Sequence, residues 1–328
     1  MVVSGRRSAP IGYCARSEGS LGVGSETRNR IAIGGTLARV VTAAVLIPAV
    51  VAVVLWGSTA LVAACLALVT LLALREFFAL GEAAGLRGYP LWTCLCAMAL
   101  LVAKWSAAIL DAGSTVVVLR TRLGFAVPVV LPSELVLLVY VLGVAAIALG
   151  TRRAVAEALP AMGVSAAGIL CVAFPLSYVV RLHAAPSYGP KLLLFTLALI
   201  WAGDTLAYFV GRAMGRHRMA PRLSPQKTWE GAVANLLGSL LIAAMFVRWM
   251  WIPLEPAHLF LMAGLGNIAG QAGDFLESAY KRSAGVKDSG ALLPGHGGML
   301  DRIDALILAA PVVWYYFHCV VSRPIRVL

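Results

Sequence analysis

The stretch QAGDFLESAYKRSAGVKDSGALLPGHGGMLDRID, residues 271–304, places many charged side chains between two apolar segments of the chain. It contains five of the 15 acidic residues, five basic side chains counting His296, and the adjacent glycines Gly297 and Gly298. The 328-residue chain as a whole is 60% hydrophobic and only 13% charged. Because the flanking segments are apolar enough to lie in a membrane, this concentration of charge indicates a functional site at the edge of a bilayer.

Apolar runs recur from Val40 to Val320, and the stretch 40–74 lacks the regular polar face that a surface helix of a soluble protein carries. We therefore predict an all-α, polytopic membrane protein with about nine transmembrane helices. The predicted spans are 40–56, 59–74, 89–103, 134–150, 160–180, 191–211, 231–251, 257–273 and 303–320. Residues 56–59 are predicted as a hairpin turn or as the middle of one tilted helix, and residues 105–133 fit no span.

The net charge of +12 comes from basic residues that cluster in short segments between the apolar runs. This distribution is typical of the positive-inside rule, so we assign it to membrane topology and predict no nucleic-acid partner. With the amino terminus inside, the two most basic loops, 212–227 and 281–302, both face the cytosol. Only two predicted spans separate these loops, so they share one side of the membrane.

The chain divides by composition into three parts. Residues 1–30 are rich in Ser, Gly and Arg and predict a disordered cytosolic tail, with an organellar transit peptide as the alternative. Residues 31–190 are predicted as amino-terminal transmembrane helices, and residues 191–322 as the carboxyl-terminal catalytic transmembrane region.

A polar stripe runs along the predicted helix that covers residues 264–281. Its members follow at steps of 4, 3, 4 and 3, which puts them on one face: Asn267, Gln271, Asp274, Ser278 and Lys281. A carboxylate inside a membrane is energetically costly unless a cation, a metal or water compensates its charge. Asp274 is therefore predicted to have a functional role rather than only a role in binding helices together. Gly266 and Gly270 beside the stripe are expected to allow close helix packing.

Carboxylates at the start of the last span extend this site. Asp301 and Asp304 are three residues apart, which puts them on one side of the final helix. If Asp274 faces Asp301, the two carboxylates form a hard-oxygen site for Mg²⁺, with Asp304 as a third candidate ligand. Glu277 and Asp288 are further candidates, and ion pairs with Arg282 or Lys287 are an equal alternative for these two.

A second charged cluster occupies residues 201–231. Asp204, Tyr208 and Arg212 are spaced by four along the sixth predicted span, and the following loop is strongly basic through Arg216, Arg218, Arg222 and Lys227. Ser224-Pro225 predicts a turn into the next helix, with Ser224 or Thr228 as its cap. Acids that hold a metal and cations that hold a polyanion are the two halves of a nucleotide-phosphate site.

The glycines of GHGGMLDR, residues 295–302, allow backbone N–H groups to approach a phosphate chain. His296 is predicted to bind a phosphate, to act as an acid, or only to brace the loop. No GxxxxGK[ST] sequence occurs, so a P-loop is excluded.

The charged motifs resemble those of phosphatidate cytidylyltransferases, the CDP-diacylglycerol synthases. The carboxyl-terminal part of the resemblance consists of Ser278, Lys281-Arg282, Lys287-Asp288, Gly290, Pro294, His296-Gly297-Gly298, Asp301-Arg302 and Asp304. The upstream part consists of Asp204, Ala207-Tyr208, Gly211-Arg212, Ser224-Pro225, Lys227-Thr228 and Glu230-Gly231. The motifs cover about the last 130 residues, whereas the amino-terminal part is similar in hydropathy, with Arg39 and Arg75-Glu76.

This resemblance implies that CTP and phosphatidic acid react to CDP-diacylglycerol and pyrophosphate with Mg²⁺, with a second cation left open. The expected catalytic residues are Asp274, Asp301, Lys281, Arg282, His296 and Arg302. The expected substrate-binding residues are Asp204, Arg212, Ser224, Lys227, Ser278, Lys287, Asp288, Gly297 and Gly298. The expected metal ligands are Asp274 and Asp301, with Asp304 as the third candidate.

The predicted partners are the two substrates and membrane lipids, and a homo-oligomer is compatible with the sequence. The predicted location is the plasma (inner) membrane of a bacterium, with the active site facing the cytoplasm. Another CTP-dependent lipid transferase or a polyprenol kinase is the alternative enzyme. An ion-coupled transporter is disfavoured, because no internal repeat occurs and the charges crowd on one face of the membrane.

Overall fold

The computed structural model describes residues 44–111, 118–120, 126–128, 131–249, 251–290, 292 and 297–322. These residues form a helical bundle with two short strand pairs. The helices are α1 (Ala44–Trp56), α2 (Thr59–Ala83), α3 (Pro90–Asp111), α4 (Ser133–Gly150), α5 (Val155–His183), α6 (Gly189–Met214), α7 (Trp229–Arg248), α8 (Pro256–Ser283) and α9 (Leu300–Val321). The strands are β1 (Val118–Arg120), β2 (Ala126–Pro128), β3 (Arg218–Ala220) and β4 (Ser224–Thr228). The predicted cytosolic tail, residues 1–30, lies outside the described residues.

Seven helices in the described part of the chain are long and apolar enough to cross a membrane. The chain is therefore an all-α polytopic membrane protein, as predicted. The predicted count of nine spans is not confirmed, because two of the nine predicted segments fail this criterion. The helix α1 is too short, and α8 carries the polar stripe that ends at Lys281.

The boundary between the first two helices is a turn. Ser58 has extended backbone angles, and its Oγ accepts a hydrogen bond of 3.2 Å from the backbone N–H of Leu61, which caps α2. The alternative of one tilted helix through residues 56–59 is therefore wrong. α2 then continues to Ala83, well beyond the predicted end at residue 74, and carries Glu76 past the apolar run.

Residues 105–133, which fitted no predicted span, include the end of α3 and a pair of short strands in their described part. α3 extends to Asp111, and β1 pairs antiparallel with β2 so that Leu119 lies opposite Val127. These strands are not predictable from the residue pattern, because three-residue strands are too short to produce a recognisable alternation.

Close contacts between helices hold the carboxyl-terminal part of the bundle together. A Cβ atom on Gly238 of α7 would lie 2.8 Å from the carbonyl oxygen of Ala202 on α6. A Cβ atom on Gly266 of α8 would lie 2.8 Å from Cγ2 of Val313 on α9, and one on Gly270 would touch Ala305. The predicted packing role of Gly266 and Gly270 is confirmed by these contacts.

The amino-terminal part of the polar stripe, Asn267 and Gln271, belongs to a hydrogen-bond network that joins α6, α7 and α8. Nδ2 of Asn267 donates hydrogen bonds to Oδ1 of Asn235 at 2.5 Å and to Oγ of Ser239 at 2.7 Å. Nε2 of Gln271 donates to Oδ1 of Asn267 at 2.7 Å, and Nδ2 of Asn235 donates to Oδ1 of Asp204 at 3.1 Å. The stripe thus begins as an interhelical hydrogen-bond network that reaches Asp204 through Asn235, and its own charged members follow toward the carboxyl end of α8.

Candidate functional site

The basic loop between α6 and α7 is a short antiparallel hairpin of β3 and β4. Thr228 ends the hairpin and caps α7, because its Oγ1 accepts a hydrogen bond of 3.2 Å from the backbone N–H of Gly231. Of the two predicted caps, Thr228 is the correct one. The carboxylate of Glu230 holds the start of the hairpin by accepting 2.6 and 3.2 Å bonds from Nδ1 and the backbone N–H of His217. These contacts fix Lys227 just ahead of α7.

The hairpin lies against the charged end of α8. Nζ of Lys227 forms an ion pair with Oδ2 of Asp274 and lies 4.1 Å from the centre of the Phe275 ring. Nε of Arg282 donates a 3.0 Å hydrogen bond to the carbonyl oxygen of Leu223. The prediction that the two basic loops share one end of the bundle is therefore confirmed.

Three carboxylates meet where α8 passes α9. One oxygen atom from each of Asp274, Glu277 and Asp304 lies within 4.8 Å of the others. We call these three residues the acidic triad. The helices approach closely here, because a Cβ atom on Gly273 would overlap the carbonyl oxygen of Asp304. Like charges at this separation repel each other strongly, so the triad favours a bound cation or a retained proton.

Lys281 and Asp301 lie beside the triad. Nζ of Lys281 is 2.5 Å from Oε2 of Glu277 and 2.7 Å from Oδ1 of Asp301. The second oxygen of Asp301 accepts hydrogen bonds from the backbone N–H and the hydroxyl of Ser289, both at 3.0 Å, and from the backbone N–H of Gly298 at 2.9 Å. Asp301 therefore anchors the loop between α8 and α9 and is not a member of the acidic triad.

A carboxylate from the amino-terminal half also contacts this loop. Oε1 of Glu76 on α2 accepts a 2.9 Å hydrogen bond from the backbone N–H of Met299. Its Oε2 accepts a 2.8 Å bond from the backbone N–H of Leu300 and a 2.9 Å bond from Oγ of Ser289. Glu76 belongs to the resemblance through Arg75-Glu76, but no role is predicted for it from the sequence.

Comparison with known proteins assigns the chain to a family. Residues 37–320 match the model of the cytidylyltransferase family. The chain belongs to the cytidylyltransferase family. The matched region runs from before α1 nearly to the end of α9, so it includes Glu76, Lys227 and the acidic triad.

Curated relatives of this chain carry one recurrent name. The chain is 42% identical to a phosphatidate cytidylyltransferase of Haemophilus influenzae over 139 residues, which are 41% of this chain and 48% of the relative. It is 40% identical to one of Brucella abortus over 169 residues, 49% of this chain and 59% of the relative, and 36% identical to one of Bacillus subtilis over 138 residues, 42% and 51%. The chain thus matches about half the length of these relatives.

The other predicted site residues have varied surroundings where the structure describes them. Asp204 accepts its hydrogen bond from Asn235, and Nη1 of Arg212 donates a 3.0 Å bond to the hydroxyl of Tyr208. Ser278 is buried on α8, and Ser224 is half-buried at the start of β4. The exposed residues of the set are Asp204, Arg212, Arg282, Lys287, Asp288 and Arg302. His296 lies outside the described residues, and Gly297 adopts a positive φ of 78° beside Asp301.

The acidic triad fits a hard divalent cation. Carboxylate oxygens are the preferred ligands of Mg²⁺, and two oxygens on opposite sides of that ion are about 4 Å apart at a metal–oxygen distance of about 2.1 Å. The triad oxygens have a comparable spacing. Oε1 of Glu277 is buried and accepts no hydrogen bond from any described residue. Glu277, one of the two further candidates named from the sequence, thus lies with Asp274 and Asp304 as a candidate ligand.

Proposed function

We propose that this protein is a phosphatidate cytidylyltransferase, which converts CTP and phosphatidic acid into CDP-diacylglycerol and pyrophosphate. The observation that carries the proposal is the acidic triad beside Lys227 and Lys281 at one end of a membrane bundle. A cation site for a nucleotide and a bilayer for a lipid are the two requirements of this reaction. The family match and the names of the curated relatives point to the same activity.

The cation of the proposal is Mg²⁺, held by Asp274, Glu277 and Asp304. When bound, it supplies positive charge against the triphosphate and the developing pyrophosphate. The ligand role predicted for Asp301 remains part of the proposal. Asp301 is joined to the triad through Lys281, so it acts either as a ligand or by holding that lysine and the loop in place.

The chemistry requires no protein nucleophile. An oxygen of the phosphatidate phosphomonoester attacks the α-phosphorus of CTP in line, the new P–O bond forms, and the bond to the β-phosphate oxygen breaks to release pyrophosphate. A phosphomonoester has a second pKa of about 6, so it is largely dianionic near neutral pH. The protein must therefore overcome the repulsion between two anions and align them, rather than activate the attacking group.

The cations of the two loops suit this task. The ammonium of Lys227 already lies beside Asp274, and that of Lys281 lies between Glu277 and Asp301. We propose that both contact phosphate oxygens during the reaction, and that exposed basic side chains at the same end assist them. The further proposed phosphate and substrate contacts are Asp204, Arg212, Ser224, Ser278, Arg282, Lys287, Asp288, His296, Gly297, Gly298 and Arg302.

The location follows from the substrate and from the charge distribution. The acyl chains of phosphatidic acid stay in the bilayer while the head group reaches the charged end of the bundle. We propose that the protein lies in the plasma (inner) membrane of a bacterium and that this end faces the cytoplasm. The bacterial origin of the relatives and the two basic loops at this end support the proposal.

Purified protein in detergent tests the function directly. With phosphatidic acid, Mg²⁺ and CTP labelled in the cytidine, we expect labelled CDP-diacylglycerol together with pyrophosphate, and neither product after chelation of Mg²⁺. Release of labelled CDP with phosphorylation of a lipid would identify a lipid kinase instead. No consumption of CTP with phosphatidic acid or any polyprenol would contradict the assignment to this enzyme class.

A further inference from the structure

Glu76 occupies an unusual position for a charged residue at the end of an apolar helix. The three hydrogen bonds that its carboxylate accepts come from residues 213 to 224 positions later in the chain. Two of the donors are consecutive backbone N–H groups at the start of α9, and the third is the hydroxyl of Ser289. One side chain of α2 therefore holds both the loop that follows α8 and the first turn of α9.

The start of α9 needs such a partner. The first backbone N–H groups of a helix have no acceptor within the helix, and the helix dipole favours a negative charge there. Met299, at the N-cap position, forms no capping hydrogen bond with its own side chain. The carboxylate of Glu76 takes the place of the missing local cap and satisfies the N–H groups of Met299 and Leu300.

The loop is shaped around this carboxylate. A Cβ atom on Gly290 would lie 2.8 Å from Oε1 of Glu76, and one on Gly298 would overlap both Oε2 of Glu76 and Oγ of Ser289. Both glycines belong to the motifs that carry the resemblance, and the absence of a side chain at each leaves room for the Glu76 carboxylate. The close fit leaves no room for a side chain at Gly290 or Gly298 beside Glu76.

Ser289 connects Glu76 to the proposed active site. Its Oγ lies 2.9 Å from Oε2 of Glu76 and 3.0 Å from Oδ2 of Asp301, so one hydroxyl proton is shared between the two carboxylates. Asp301 in turn pairs with Lys281, which pairs with Glu277 of the acidic triad. These contacts form a continuous series from Glu76 through Ser289 and Asp301 to Lys281 beside the triad.

We propose that Glu76 is a positioning residue for the cytidylyl transfer, which holds Asp301 and Lys281 in their working positions without touching either substrate. This inference rests on the proposed function. Because Glu76 lies on α2, the inference adds one of the amino-terminal helices to the catalytic region, which the sequence predicted to lie within residues 191–322. A misplacement of about 1 Å in an active site can cost about 100-fold in rate, and we expect an effect of this size on kcat.

The variant Glu76→Gln tests the proposal with an unchanged side-chain shape. An amide cannot accept hydrogen bonds through its NH2 group, so at least one of the three donors loses its partner. We expect kcat for CDP-diacylglycerol formation to fall about 100-fold while KM for CTP stays near the wild-type value, because no substrate contact is removed. Glu82→Gln is the matched control, since Glu82 lies on the same helix with an exposed side chain. It should keep wild-type kcat.

Hydrogen exchange provides a second measurement that needs no turnover. In Glu76→Gln, the peptide that covers residues 297–304 should exchange its amide hydrogens faster, and the corresponding peptides of α6 and α7 should not change. If the wild-type protein forms no CDP-diacylglycerol but the faster exchange occurs, the proposed function fails and the contact between Glu76 and the loop stands. If an active wild-type protein and Glu76→Gln agree in kcat and in exchange, the inference is overturned.

Ser289→Ala tests the same connection in a chain that keeps Glu76. We expect part of the loss in kcat, and we expect Glu76→Gln to cost less in the Ser289→Ala background than alone, because both changes interrupt one path. Fully additive losses would contradict a path through Ser289. If Glu76→Gln fails to fold, the test rests on Ser289→Ala alone. The inference is then overturned when this variant has the same kcat and the same hydrogen exchange as the wild-type protein.

Discussion

Nζ of Lys281 lies 2.7 Å from Oδ1 of Asp301, and this ion pair joins the last turn of α8 to the first turn of α9. The same ammonium is 2.5 Å from Oε2 of Glu277, whose side chain is only 2% exposed. Lys281 thus compensates two carboxylates, one of them buried, at the point where the acidic triad meets the loop. Its replacement should reveal how far this end of the bundle depends on charge balance.

We expect Lys281→Met to abolish detectable activity and to destabilise the protein by about 3–5 kcal/mol, because it leaves a buried carboxylate without its cation. The double variant Lys281→Met/Glu277→Gln should recover most of the stability but no activity. Unfolding in detergent and CDP-diacylglycerol formation measure the two effects. Arg282→Met is the control for stability, since the Arg282 side chain is exposed. Equal stability of the single and double variants would contradict a charge-balancing role.

Mg²⁺ should stabilise the wild-type protein against heat, by about 2.7 kcal/mol at a concentration of 100 times its dissociation constant. Asp274→Asn and Asp304→Asn should lose both this stabilisation and turnover, because each removes one carboxylate of the triad. Asp301→Asn should lose turnover but keep the stabilisation if Asp301 acts through its contacts with Lys281, Ser289 and Gly298. Loss of the Mg²⁺ effect in Asp301→Asn would place Asp301 in the ligand set, and its persistence in Asp304→Asn would exclude Asp304.

Lys227→Met should lower kcat/KM for CTP by about 100-fold or more, since it removes the cation nearest to Asp274 and a charge-assisted contact to a phosphate. The steady-state rate at varied CTP measures this effect. Arg216→Met, in the same loop with an exposed side chain, is the matched control and should change kcat/KM only slightly. Similar losses in the two variants would indicate that the loop acts through its total charge rather than through Lys227.

Asn267→Ala should affect stability more than catalysis. Asn267 is 3% exposed and joins α7 to α8 through Asn235 and Ser239, about two helical turns before Asp274. Interhelical hydrogen bonds in membranes contribute about 0.6 kcal/mol on average and up to about 1.7, so we expect a loss of about 1–2 kcal/mol with kcat retained. Unfolding in detergent and turnover measure the two quantities, with the exposed Thr205→Ala on α6 as control. A loss of activity without a loss of stability would indicate that Asn267 takes part in the active site.

The sequence predicted the helices well and the extents of the charged helices less well. Apolar runs such as 134–150 are local signals, and α4 agrees with that run within one residue. α2 was predicted to end at residue 74 because charge interrupts its apolar run at Arg75, yet the helix continues to Ala83. Hydropathy indicates which residues can lie in a bilayer. The length of a helix depends instead on backbone hydrogen bonds and tertiary packing, and here these continue past the apolar run.

The sequence predicted the polar stripe on α8, but it did not distinguish the part that binds α7 from the part that faces charged groups. Its helical spacing correctly puts Asn267, Gln271 and Asp274 on one face. Only the neighbours of that face distinguish the amides, which bond to α7, from Asp274, which faces Lys227 and Asp304. The catalytic, binding and metal roles assigned from the resemblance stay predictions, which the variants above test.

The sequence by itself determined the membrane class, the approximate positions of the helices and the two charged loops, because composition and periodicity are properties of neighbouring residues. Only the tertiary structure decided which charges meet. It brought Asp304 to Asp274 and Glu277, turned Asp301 toward Ser289, and brought Glu76 to the start of α9. Electrostatic and hydrogen-bonding contacts act over a few ångströms in space, and the chain separation of Glu76 and Leu300, 224 positions, carries no information about that distance.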